Sequence, residues 1–133
     1  MLPGWSRAHV ITHVARNADG HTRRLEGVLR NDDVARYPGG SEQRCSEIEA
    51  GASRSAAELA ADLRRSQDHL VTVLHRCVAR RWPYAELMAQ DSYPVRGCPA
   101  HRLREVEMHH VDLNIGYTPH QWPQTLPLDH RTP

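Results

Sequence analysis

The segment from residue 55 to residue 80 constrains the fold more than any other stretch of this sequence. It opens with Ser55-Ala-Ala-Glu58, a capping box in which two side chains satisfy backbone N–H groups at a helix start. Trp82-Pro83 ends the pattern, because a proline disfavours helix at the residue before it. We therefore predict a long amphipathic helix with one apolar face. Its apolar positions at helical spacing are Leu59, Leu63, Leu70, Val73, Leu74 and Val78.

Two further segments are predicted to be helical. One runs from about Arg7 to Arg30, with Ser6 as its N-terminal cap and Trp5 placed to pack onto it. The other runs from 102 to 113, with Pro99 just before it and Gly116 expected to terminate it. The apolar positions are Val10, Val14, Ala18, Leu25, Val28 and Leu29 in the first, and Leu103, Val106, Met108, Val111 and Leu113 in the second.

The connecting segments contain turn residues and no convincing strand pattern. Residues 31–44 are predicted to form a loop, followed by a short helix at about 45–52 in which Ile48 faces inward. A short turn is expected at 84–89. The sequence thus predicts an all-α helical bundle at residues 1–120 and a Pro-rich tail at 121–133, which Trp122 pins to the helices.

Composition and charge exclude several classes of function. The formal net charge of +1 gives no argument for binding nucleic acid or an anionic membrane. No stretch approaches the roughly 18 apolar residues of a membrane span, and the N-terminus lacks the apolar region of a signal peptide, so we expect a cytoplasmic protein. The three cysteines form no CxxC pair, so we expect neither a disulfide framework nor a cysteine-type zinc site.

The helix predicted at 102–113 carries a pair of metal-type ligands. Glu105 and His109 are four residues apart, so their side chains leave the same face one turn apart. A carboxylate and an imidazole at that separation can share a divalent metal, as in H-E-x-x-H helices. A catalytic zinc site needs a third protein ligand and an open position. His13, at the edge of the first helix's apolar face, and His101, one turn before Glu105, are the two candidates.

Neighbouring polar residues have other predicted roles. His110 points about 100° away from His109 and is expected to pack or to support a ligand. Glu107 is expected to face solvent or to pair with Arg104. Asp112 can orient His109 through a hydrogen bond or hold the end of the helix. The alternative to a metal site is a plain helical domain whose histidines have ordinary structural roles.

Several motifs occur in the order found in one known family. Together they resemble the mycothiol-dependent maleylpyruvate isomerase family over nearly the whole chain. The matching segments are Leu2-Pro-Gly-Trp-Ser-Arg-Ala-His-Val-Ile-Thr-His13 with its continuation to Asp19, Tyr37-Pro-Gly-Gly, Arg44, Glu47-Ile-Glu-Ala-Gly51, Ser55-Ala-Ala-Glu-Leu59, Leu103-Arg-Glu-Val-Glu-Met-His-His-Val-Asp-Leu113, Gly116-Tyr117 and Trp122-Pro123.

The resemblance implies a fold and a chemistry. It implies a DinB-like four-helix bundle of up-down type with one divalent metal, taken as zinc, bound by His13, Glu105 and His109. In such proteins the metal binds and ionises the sulfur of mycothiol, a low-molecular-weight thiol of actinobacteria. The thiolate adds to the cis double bond of maleylpyruvate, and rotation and elimination give fumarylpyruvate. The expected partners are thus mycothiol and a small electrophile, and a related mycothiol S-transferase is a variant of the same chemistry.

The sequence departs from this family pattern at both ends. The family has a helix before the Gly-Trp-Ser motif, whereas only four residues precede Trp5 here. It also has a C-terminal domain of roughly a hundred residues, whereas this chain stops at Pro133. We expect the first bundle helix to be missing, leaving an apolar groove beside helices 7–30 and 55–80 that a homodimer could cover. A truncated, non-catalytic domain that binds metal or self-associates is the alternative hypothesis.

Overall fold

Four α-helices make up most of the structure, a computed structural model that describes residues 2–82, 86 and 91–126. They are α1 (Arg7–Leu29), α2 (Gly40–Gly51), α3 (Ala56–Ala79) and α4 (Cys98–Asp112), with short 3-10 turns at Val95–Gly97 and Pro119–Gln121. The predicted all-α class is confirmed. The turn predicted at 84–89, apart from Glu86, and the end of the tail beyond 126 lie outside the described residues.

The two longest helices begin where their capping signals predict. Ser6 caps α1, and its side chain and backbone N–H both bond to His9, which takes the place of the usual glutamate. Ser55 and Glu58 form the predicted reciprocal pair at the start of α3. The predicted boundaries of both helices agree with the structure to within one residue.

The two shorter helices begin earlier than the sequence suggests. The predicted loop at 31–44 is wrong at its end, because α2 already begins at Gly40. The Gly39 N–H donates to Gln43 Oε1 at 2.7 Å, so the first turn of α2 already includes the second glycine of the Pro-Gly-Gly segment. Helix α4 begins at Cys98, so Pro99 lies inside its first turn. It ends at Asp112, and Asn114 rather than Gly116 is the first left-handed residue after it.

Helix α1 is the centre of the bundle and packs against α2, α3 and α4. A buried apolar cluster joins it to α3 and to the start of α4. One predicted core residue is wrong, since Val78 is 55% exposed and Cys77 is buried instead. A stripe that advances by three and four residues runs from Leu70 through Val73 to Cys77, and position 78 leaves it. The cluster consists of Ala18, Leu25, Val28, Leu70, Val73, Cys77, Tyr93, Val95 and Cys98.

Helix α2 approaches α1 closely through a glycine. A Cβ added to Gly51 would lie 2.3 Å from Cγ2 of Thr12, so only glycine fits at this contact without a shift of the helices. Ile48, one turn earlier, is buried as predicted. This contact fixes how the rest of α2 lies across α1.

An open apolar groove runs between α3 and α4, with α1 as its floor. The expected groove is therefore present, but α4 rather than α1 forms its second wall, because α1 and α3 pack directly against each other. Its volume is about 560 Å³. The homodimer that was expected to cover it stays a prediction. Within the described ranges, no helix is long and apolar enough to cross a membrane. The apolar side chains along the groove include Leu63, Leu70, Leu74, Pro99, Leu103 and Val106.

Candidate metal centre

Helices α1 and α4 bring His13, Glu105 and His109 together. Nε2 of His13 lies 3.1 Å from Oε2 of Glu105, and Nε2 of His109 lies 3.4 Å from the same oxygen. One donor atom from each of the three side chains lies within 4.8 Å of the other two. Both histidines are buried and the glutamate is half-buried. The structure thus selects His13 over His101 as the companion of the α4 pair, and their binding of metal stays a prediction.

A buried arginine on α4 fixes that helix against its neighbours one turn before Glu105. Arg102 donates to the carbonyl oxygen of Val14 at 2.7 Å and to Oδ1 of Asn17 at 3.0 Å, both on α1. It also donates to Oε1 of Gln67 on α3 at 2.9 Å. Burial lowers the pKa of Arg102 to about 10, so the guanidinium stays charged at neutral pH. These bonds set the position of α4 beside His13.

The other end of α4 is bonded to the start of α1. Nε of Arg7 donates to the carbonyl oxygen of Leu113 at 2.8 Å, and Nη2 donates to that of Asn114 at 3.1 Å. The last carbonyls of a helix have no partner within the helix, so an arginine there satisfies them. The hydrogen bonds of Arg102 and of Arg7 therefore fix α4 on both sides of His109.

Asp112 orients His109, as its position in the sequence predicts. Oδ2 of Asp112 lies 2.8 Å from Nδ1 of His109, so Nδ1 carries a proton and donates a hydrogen bond to the carboxylate. Nε2 of His109 then faces Glu105. A histidine that ligates metal through one nitrogen almost always donates its other N–H to a carboxylate, carbonyl or water, so this geometry is the one a ligand needs.

The charges of the three side chains depend on one another. Burial acts to raise the pKa of Glu105, but hydrogen bonds from His109 and His13 outweigh it and hold that pKa far below its usual range. Burial acts to lower the pKa of His109, but the hydrogen bond and charge of Glu105 outweigh it, with help from Asp112, and raise that pKa. Burial lowers the pKa of His13, which is therefore neutral at neutral pH. The three side chains together carry one negative charge, on Glu105, and this charge favours one positive charge, on His109.

Two residues that the ligand spacing did not reveal surround His13. The Trp5 ring lies edge-on to the His13 ring, with centroids 5.6 Å apart. Nη2 of Arg44, on α2, lies 3.3 Å from Nδ1 of His13. Trp5 was predicted to pack on α1 but not to contact a ligand. Arg44 comes from another helix, and its only signal in the sequence is its place among the family-like motifs.

The remaining candidates lie away from the three ligands. His101 stacks on Tyr93 with ring centroids 3.4 Å apart, and His110 stacks on Tyr117 at 3.7 Å. Glu107 accepts a hydrogen bond from the hydroxyl of Tyr117, so the predicted pairing with Arg104 is not the contact that the structure shows. The packing role predicted for His110 agrees with its position.

The donor set suits a divalent metal of borderline softness. Two imidazole nitrogens and one carboxylate oxygen are the ligands of many catalytic zinc sites, in which a fourth position stays open for a reacting molecule. The three atoms here converge, Nε2 of His109 is already oriented, and Glu105 is ionised. The residues present therefore fit such a metal.

Comparisons with known proteins give one family and one fold. The family model described as mycothiol maleylpyruvate isomerase N-terminal domain matches residues 1–114. A crystal structure of the mycothiol-dependent maleylpyruvate isomerase, in a histidine-to-alanine mutant, superposes with a TM-score of 0.85 at 26% sequence identity. The match covers 94% of this chain and 52% of that chain, so this chain spans about half the length of the solved relative. The predicted DinB-like bundle fold is confirmed. None of the curated proteins matches this sequence significantly.

Proposed function

Because this chain belongs to the family of the mycothiol maleylpyruvate isomerase N-terminal domain, we propose that it binds zinc through His13, Glu105 and His109 and uses mycothiol as a thiol cosubstrate. The predicted family resemblance is confirmed, whereas the metal and the reaction are the proposal. The observation that carries it is the convergence of two imidazoles and one carboxylate from α1 and α4. A divalent metal held there would supply the positive charge that lowers the pKa of a bound thiol from its free value near 8.5.

Each residue of the centre has a part in this function. Glu105 supplies the anionic ligand, since its two histidine neighbours keep it ionised. Asp112 holds the Nδ1 proton of His109 and leaves Nε2 for the metal. Trp5 covers one side of His13 and limits the approach of water to that ring. Arg102 and Arg7 keep α4 at the distance from α1 at which the three donors meet.

The reaction is proposed at the level of thiol addition to an electrophile. The solved relative is named for the isomerisation of maleylpyruvate, and this chain spans about half of it. For this chain, cis-trans isomerisation of maleylpyruvate and transfer of mycothiol to another electrophile differ in their products. Incubation with mycothiol and maleylpyruvate, followed by chromatography, separates fumarylpyruvate from a stable thiol conjugate.

The test of the metal centre is the zinc content of the purified protein. We expect close to one zinc per chain in the wild type and a large loss in His13→Ala and in His109→Ala, because two ligands do not hold zinc tightly. His110→Ala is the matched control, since its ring stacks on Tyr117 beside the site. Plasma mass spectrometry measures the content. Unchanged zinc in either ligand variant, with circular dichroism showing a folded protein, contradicts the proposed centre.

A further inference from the structure

The groove between α3 and α4 leaves apolar side chains open to solvent along both of its walls. Leu63 and Leu74 line it on α3, and each is only half-buried. Leu103 and Val106 line it on α4, and they are half-buried too. A contiguous apolar surface of this kind costs free energy in water and marks an interaction site. The groove is therefore a candidate docking surface.

The apolar surface continues over the rim of the groove onto the outer side of α3. Val71 lines the groove and is 38% exposed. Val78 is 55% exposed and lies seven residues further on, so the two valines share one side of the helix. Two exposed valines on one side, two turns apart, extend the docking surface along α3.

Two opposite charges stand on the rim of the groove, one turn apart on α3. Arg64 and Asp68 both line the groove, and both are exposed. Within the described ranges, neither side chain forms an ion pair or a hydrogen bond. The third charged side chain of the groove, Arg102, is instead bonded to α1 and α3 of its own chain. An arginine that precedes an acidic residue is also the weaker orientation for a pair within one helix. Both rim charges are therefore available to a partner.

We propose that a second copy of this chain covers the groove, with its α3 lying antiparallel to α3 of the first copy. The rim charges carry this choice of partner, because plus followed by minus becomes minus followed by plus when the helix is reversed. A two-fold axis beside residues 66 and 67 places Arg64 opposite the partner's Asp68, and Asp68 opposite the partner's Arg64. The same axis places Leu63 opposite the partner's Val71. The charges and the apolar side chains of α3 are thus both complementary to a reversed copy of the same helix.

The proposed dimer is joined by a layer of four helices. Each α3 lies in the groove of the other copy and each α4 flanks it, so the four helices surround one shared apolar core. Leu103 and Val106 of each α4 complete this core on its two sides. Interfaces that resemble a domain core in this way are typical of permanent dimers.

The proposed interface and the proposed metal centre use different faces of α4. Glu105 and His109 face His13 on α1, whereas Leu103 and Val106 face the groove. The inference therefore does not rest on the proposed function. Zinc content separates the two, since variants of the interface should keep the zinc content of the wild type.

The first test exchanges the rim charges and measures the dimer by sedimentation equilibrium of the full chain at micromolar concentrations. We expect the wild type to be a dimer. Arg64→Asp and Asp68→Arg should each weaken it about ten- to a hundred-fold, because each change replaces two attractive contacts by two repulsive ones. An equimolar mixture of the two variants should form a heterodimer about as stable as the wild type, since arginine then faces aspartate at both contacts. Arg76→Asp, on the same helix but outside the groove, is the matched control and should leave the dimer unchanged.

The second test disrupts the apolar contact on the outer side of α3. Val71→Asp should weaken the dimer at least about ten-fold, because the change occurs twice across a two-fold axis. Val71 is exposed in the single chain, so this variant should keep the helical circular dichroism of the wild type. Ile115→Asp, at an exposed apolar position beyond the end of α4, is the matched control and should dimerise as the wild type does.

The mixture of the two rim variants gives the deciding result. Restoration of the dimer there supports the inference, since mixing cannot repair a defect of folding in either variant. A monomeric wild type overturns the inference and leaves the proposed metal centre standing. Dimers that persist in both rim variants also overturn it, because the copies would then meet on another surface. Loss of the dimer in both variants without restoration in the mixture overturns the antiparallel contact of the two α3 helices.

Discussion

At the residue scale, the site shows what spacing along one helix can and cannot reveal. Glu105 and His109 are visible in the sequence because side chains four residues apart share a face of any α-helix. His13 lies 92 residues away from Glu105, so only the packing of α1 on α4 makes the two meet. The family resemblance pointed to His13, whereas the residue spacing alone left His101 open. The contact of Arg44 with His13 depends on a third helix and has no signature in spacing.

His21 gives a prediction about pH and stability. It is fully buried, and its Nε2 has no hydrogen-bond partner among the described residues. Burial lowers its pKa to about 3, whereas an unfolded chain has a histidine pKa of about 6.5. Between these values only the unfolded chain takes up this proton. We therefore expect the free energy of unfolding to fall as pH drops below about 6.5, by at most ~1.4 kcal/mol per pH unit from this residue.

Urea denaturation at pH 7 and pH 5 measures this effect. His21→Gln should lose part of the pH dependence, because a glutamine takes up no proton in either state. His75→Gln, at an exposed position of α3, should keep it. Equal pH dependence in the wild type and in His21→Gln would show that other groups cause the loss of stability.

At the scale of the element, the accuracy of the predicted boundaries follows the capping chemistry. Helices α1 and α3 have Ser6 and Ser55 as their N-terminal caps, and serine in that position marks the start of a helix in the sequence. Helix α2 starts at the second of two glycines, which signal a turn equally well, so its first five residues were missed. The sequence also did not indicate that the carboxylate of Asp62 is buried, for a different reason. Asp62 lies on the inner face of α3 because Arg16 and Arg54, from outside that helix, each bond to it.

The close contact of α2 with α1 predicts how adding one methyl group at Gly51 changes the free energy of unfolding. Gly51→Ala would place Cβ 2.3 Å from Cγ2 of Thr12, so the Thr12 side chain or the two helices must shift. We expect a loss of roughly 1–3 kcal/mol in the free energy of unfolding, as for other overpacked sites. Ser46→Ala, on the exposed side of the same helix, should change it by less than about 0.5 kcal/mol. Chemical denaturation measures both, and a stable Gly51→Ala would show that α2 does not pack here.

At the scale of the whole molecule, the proposed metal joins α1 to α4. His13 and Glu105 belong to α1 and α4, so an ion shared by them closes a loop of most of the chain. An ion that binds only the folded state stabilises it by about 2.7 kcal/mol when its free concentration is a hundred times its dissociation constant. We expect zinc to raise the urea midpoint of the wild type and not that of His13→Ala. Equal shifts in both proteins would place the stabilising zinc elsewhere.

The same separation along the chain sets the order of events during synthesis. A ribosome that adds roughly 5–20 residues per second places Glu105 on the chain about 5 to 18 s after His13. During that interval the growing chain carries only His13 of the three donors. The proposed centre thus cannot be complete until α4 has been synthesised. An ion held by all three donors needs α4 packed on α1, so occupancy of the complete centre marks a chain in which these two helices have met.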